Sequence, residues 1–119
     1  MSDHSVRIRV LDILDEIETI EKILIGKDFV AYQSSFITKR ATERCLEIIS
    51  ETSRHIPEDI RMRFPDVPWN KIRGIGNVLR HEYSRVQDEV LWRVTEDALP
   101  ELKRIMNEIL AILPPDTEA

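Results

Sequence analysis

The sequence predicts an all-α protein, an up-and-down bundle of four to five helices. Three observations predict it. Apolar residues recur at steps of three and four along each long segment, the spacing that gathers them on one helical face. No stretch alternates with a period of two. Three Gly, two Trp, two Tyr and three Phe are also too few for the turns and aromatic strands of a β-barrel or sandwich. At 119 residues the chain suits one domain, residues 1–119.

The first helix is predicted from about Val6 to Ile25. Val10, Ile13, Leu14, Ile17, Ile20 and Leu24 form its stripe, acidic residues fill the solvated face, and Gly26 is a natural stop. Asp28 to Gln33 reads as a connector carrying Phe29 and Tyr32. A second helix runs from about Ser34 to Arg54, capped by Ser34 or Ser35, with Ile37, Ala41, Cys45, Ile48, Ile49 and Thr52 sharing a face. It ends at His55, ahead of Pro57. Pro57 to Phe64 reads as one or two helical turns, with Glu58 and Asp59 at the positive end of the dipole.

Pro65-Asp66-Val67-Pro68 is a rigid break. A helix then runs from Pro68 or Trp69 toward Tyr83, with Trp69, Ile72, Ile75 and Leu79 facing inward. Gly74 and Gly76 inside it each cost up to about 1 kcal/mol relative to Ala, which points to close approach of a backbone or a ligand. The last segment spans about Asp88 to Leu113. Asp88 is a possible cap, the stripe runs through Val90, Leu91, Val94, Ala98, Leu102, Ile105, Ile109 and Ile112, and Pro100 should kink or split it. Residues 114–119 read as a frayed tail.

The formal charge is −5, which argues against a protein that coats DNA but leaves room for a local basic site. One cysteine, Cys45, excludes an intramolecular disulfide framework, points to a reducing compartment and reads as a buried packing thiol. No apolar run approaches the roughly 20 residues needed to cross a bilayer, and MSDHSVRIRV lacks a signal-peptide core. The expected location is the cytoplasm, with no membrane partner.

The chemistry-bearing window is WNKIRGIGNVLRHEYSR, Trp69 to Arg85. It gathers Lys71, Arg73, Asn77, Arg80, His81, Tyr83 and Arg85 in an otherwise acidic chain. Arg73, Asn77 and His81 stand four apart and form a polar line along one helix side, flanked by Arg80 and Tyr83. That combination suits RNA chemistry. An imidazole near neutrality serves as acid or base on a ribose 2′-hydroxyl or a leaving 5′-oxygen, and a guanidinium grips phosphate. The same residues also fit a solvated face that balances the acidic first helix. His4 lies near the terminus, and His55 is explained by the C-terminal dipole. No residue pair has zinc spacing, and Gly74-Ile75-Gly76 follows no strand, so no metal or cofactor is expected.

These residues resemble the HepT-like proteins of the HEPN superfamily. The resemblance covers nearly the whole chain: LDILDEIETIEKI (Leu11–Ile23), LEIISETSRHIP (Leu46–Pro57), RFPDVPWNKIRGIGNVLRHEY (Arg63–Tyr83) and VLWRVTEDALPELKRIMNEIL (Val90–Leu110). It implies a dimeric helical bundle that acts as the toxin of a toxin–antitoxin pair by metal-independent RNA cleavage. The implied partner is a small nucleotidyltransferase antitoxin that attaches AMP groups to the motif tyrosine. The motif of an arginine, a polar residue, a spacer and His-x-Tyr then falls on Asn77, His81 and Tyr83, and dimerisation would join two motifs in one cleft. The arginine that should precede Asn77 is replaced by Gly76. Arg73 and Arg80 are the nearby substitutes in sequence, the former eight residues from His81 and the latter about 100° around the helix from it. The alternative is a non-catalytic helical dimer that docks the nucleotidyltransferase, its nuclease lost through Gly76.

Overall fold

In the computed structural model the described residues are 3–81 and 85–114, with backbone alone for 3, 80, 81 and 85–87. Their regular structure is all helix, without a strand among them. The long helices are α1 (Asp3–Leu24), α3 (Phe36–Ser53), α5 (Trp69–His81) and the run from α6 (Arg85–Arg93) into α7 (Leu99–Ile112). Two short helices, α2 (Phe29–Ser34) and α4 (Glu58–Arg61), fill the connections. The expected connector at 28–33 is therefore largely α2. Asp28 makes it a helix by accepting the Ala31 N–H on its carboxylate at 2.8 Å.

The packing order is α7, α1, α3, α5. α1 sits at the centre because its stripe is wide: Val6, Val10, Ile13, Leu14, Ile17 and Ile20 are all buried. Gly26 ends it at φ +72°, a conformation that side chains with a Cβ avoid. α3 starts on Ser35, whose Oγ accepts the Thr38 N–H at 3.2 Å. Its inward face is Thr38, Thr42, Cys45, Leu46, Ile49 and Ser50. Ile37, expected inside, is 80% exposed. The true stripe is rotated by one residue, because two threonines count as polar in the pattern yet pack inward.

The four residues expected to face inward on α5, Trp69, Ile72, Ile75 and Leu79, are buried as read. Asp88 does not cap the last segment. That segment starts earlier, at Arg85, and Asp88 lies inside α6, bridged to Lys39 of α3 at 3.2 Å. Val90 and Ile112, placed on the core stripe by spacing, are 41% and 42% exposed. Pro100 does interrupt the run, in a particular way. Val94–Ala98 widens into a π turn, and Leu99 donates its N–H five residues back to the Val94 carbonyl. Pro100 has no N–H for a carbonyl four residues back, and the widened turn just before it absorbs that loss. At the far end, Pro114 is held: its carbonyl accepts from Arg7 Nη2 at 2.5 Å. Residues 115–119 of the expected tail lie outside the described residues. Among the described residues no helix is long and apolar enough to cross a membrane.

Candidate nucleic-acid interface and active site

α5 carries the candidate site, and its sequence divides it into three edges. Trp69, Ile72, Ile75, Gly76 and Leu79 are buried. One outer edge, bordering α3, holds half-buried Arg73 and exposed Asn77. The other outer edge holds exposed Lys71 with Gly74 and Val78. Lys71 and Arg73 are two residues apart and so point roughly 160° away from each other. The helix thus splits the cations that the sequence lists side by side.

The Lys71 edge borders an open groove of about 730 Å³. Gly74, Ile75 and Val78 line one wall, and Val90, Leu91 and Val94 line the opposite wall. Arg93, Asp97 and Glu101 stand among the remaining lining residues. The groove is mostly apolar and faces away from the Arg73–Asn77 edge. An ideal Cβ built on Gly74 meets nothing within 4 Å, so this glycine is not there for a close contact.

Gly76 is different. Its backbone N–H donates to Ser50 Oγ at 3.2 Å. The same Ser50 hydroxyl donates to the Arg73 carbonyl at 3.0 Å. α3 does reach Gly76, but through the Ser50 side chain and not through its backbone. Ser53 Oγ in turn donates to the Ser50 carbonyl at 2.7 Å, an internal bond of α3.

A residue that the sequence reading passed over also arrives here. Arg54, the C-cap of α3, donates from Nη2 to the Arg73 carbonyl at 3.1 Å. Its side chain stays 42% exposed, with Glu51 3.8 Å away. Ser50 and Arg54 are four apart on α3, so both reach the same turn of α5. That spacing was readable in the sequence; the pairing of α3 with α5 was not.

Of the sequence-derived residues, Arg73 and Asn77 share one edge and Lys71 lies on the other. The backbone of Arg80 and His81 closes α5, and helical register places the His81 Cα one turn beyond Asn77 on the Arg73–Asn77 line. The side chains of Arg80, His81 and Arg85, and the whole of Tyr83, lie outside the described residues.

Residues 13–109 match the family described as Ribonuclease HepT-like. The chain belongs to that family. A member of the HepT-like ribonucleases carries an RNase-type function, and the all-α architecture agrees with membership. The "Putative RNase MJ1380" of Methanocaldococcus jannaschii is 32% identical over 104 residues, covering 87% of this chain and 95% of that protein. The "Putative RNase TTE0752" of Caldanaerobacter subterraneus subsp. tengcongensis is 34% identical over 98 residues, covering 82% and 88%. The "Probable ribonuclease HepT" of Thermococcus cleftensis is 35% identical over 92 residues, covering 77% and 84%. No solved structure matches the chain.

Proposed function

We propose that this HepT-like chain is the RNA-cleaving toxin of a toxin–antitoxin pair and works without a metal as a homodimer in the cytoplasm. The observation that carries the reading is the Arg73–Asn77 edge of α5, which leads in helical register to His81 in a chain of ribonuclease family. In the reaction the ribose 2′-oxygen attacks phosphorus and the bond to the 5′-oxygen breaks. A 2′,3′-cyclic phosphate and a 5′-hydroxyl result. His81 takes the 2′-hydroxyl proton or delivers a proton to the leaving oxygen. Arg73 and Arg80 carry the phosphate charge, Asn77 orients it, and Arg85 holds flanking substrate, while Lys71, expected to join them, lies on the opposite edge of α5 and is left out of this site. Tyr83 contacts substrate and is the group a nucleotidyltransferase antitoxin would AMPylate.

The test is RNA cleavage in EDTA by the purified protein beside His81→Ala. Cutting by the wild type alone supports the reading. Equal cutting by both, or by neither, defeats it. A second reading draws on Gly76, whose N–H is bonded to Ser50 where the resemblance implies an arginine. In it the dimer docks the nucleotidyltransferase and does not cut. Co-purification of that partner with a protein inert toward RNA would favour it.

A further inference from the structure

We propose that Arg54 supplies a phosphate-binding guanidinium to the α5 site from α3. This inference rests on RNA being the substrate class of that site, as in the reading above.

The bond to the Arg73 carbonyl fixes where the charge sits. In an α-helix the carbonyl of residue 73 lies level with the amide of residue 77. The Arg54 head group, 3.1 Å from that oxygen, therefore stands at the turn that contains Gly76 and Asn77. His81 begins the next turn, roughly 6 Å further along the axis at 1.5 Å per residue. A phosphodiester and its ribose span a comparable distance. Gly76 presents no side chain at this turn, and its N–H is already occupied by Ser50.

The guanidinium is only partly used. It has five N–H donors in a fixed fork. One hydrogen bond goes to the Arg73 carbonyl, and Glu51 forms an ion pair with Nη1 at 3.8 Å without reaching hydrogen-bond length. With the side chain 42% exposed, donors remain for an incoming oxyanion. The backbone bond also holds the long side chain in place before substrate arrives, so less rotamer freedom is lost on binding. Arg54 and Arg73 then flank one phosphate path along the α3–α5 seam. The two guanidinium groups add local positive charge, which Glu51 offsets in part, in a chain of net charge −5.

The experiment uses the full chain and a single-stranded 2′-O-methyl oligoribonucleotide, which cannot be cut, with affinity measured from about 50 to 200 mM salt. Arg54→Ala should reduce the slope of log affinity against log salt by about 0.7, the loss of one single-strand phosphate contact. Arg104→Ala, on α7 where the guanidinium is already paired with Glu101 and Glu108, should leave the slope unchanged. On cleavable RNA, Arg54→Ala should slow turnover on the order of a hundredfold. Arg54→Lys should restore the slope but only part of the rate, because a point charge replaces the fork. A slope loss no larger than that of Arg104→Ala overturns the inference, as does failure of the wild type to bind the oligonucleotide at low salt. If the wild type never cuts RNA but the Arg54-dependent slope is present, the phosphate contact stands and the nuclease reading falls. If the wild type cuts and Arg54→Ala changes neither slope nor rate, this inference falls alone.

Discussion

Gly76 donates its backbone N–H to the Oγ of Ser50 across 3.2 Å, joining α5 to α3 at the turn that precedes the candidate histidine. Ser50 is buried and returns a bond to the Arg73 carbonyl at 3.0 Å. Ser50→Ala removes both bonds from a dry seam and should destabilise the fold by about 1–2 kcal/mol. Urea unfolding measures it; an unchanged midpoint would mean the seam is held by apolar packing alone.

The two other glycines should respond in opposite directions. Gly74 has open space where a Cβ would go, so Gly74→Ala should stabilise the protein by about 0.5–1 kcal/mol through helix propensity. Gly26 also has open space but sits at φ +72°, so Gly26→Ala should cost about 1 kcal/mol. Thermal melts of the two variants, one shifted up and one down, check this; shifts of the same sign would contradict it.

Tyr32 is fully buried beside Phe29 and Trp92, and its hydroxyl has no hydrogen-bond partner among the described residues. Burial raises its pKa well above the usual phenol range, helped by the charges of Glu43 and Asp88. Tyr32→Phe keeps the ring packing and removes an unsatisfied polar atom. The melting temperature should hold or rise, by an amount equivalent to at most about 1 kcal/mol. A fall of several degrees would reveal a partner for the hydroxyl.

Burial pushes the Cys45 thiol from 9.0 up to about 11, with a hydrogen bond to Glu16 and the charge of that carboxylate adding to the shift. The folded state therefore holds this proton more tightly than the unfolded state does. The stability tied to it is intact below pH 9 and declines as pH climbs through 11. Denaturation midpoints from pH 7 upward should show that decline, and Cys45→Ala should lessen it. Iodoacetamide should label Cys45 at pH 8 far more slowly in the native protein than in urea. Equal labelling rates in the two states would refute the assignment.

Much of the helix order is legible from period alone. Trp69, Ile72, Ile75 and Leu79 could be placed because their spacing and their burial coincide. Ile37 could not, because Thr38 and Thr42 are buried on the inward face although a polarity pattern counts them as polar. Asp88 has the right chemistry for a cap, but Lys39, 49 residues away, takes its carboxylate. Arg54 failed for the same reason: its contact with Arg73 exists only once α3 and α5 are side by side. Local rules carry local bonds, and the site is assembled from distant ones. Arg73 and Asn77 were legible as an edge because both lie on one helix.

The π turn at Val94–Ala98 carries a consequence for how this chain can change over generations. It fits one extra amino acid into the path between α6 and α7. The widened turn takes that residue up locally, so deleting one of the five would relax the stretch into ordinary helix and leave Leu102, Ile105 and Ile109 facing α1, whereas a further insertion would turn them about 100° away. The chain can lose a residue at this turn more safely than it can gain one.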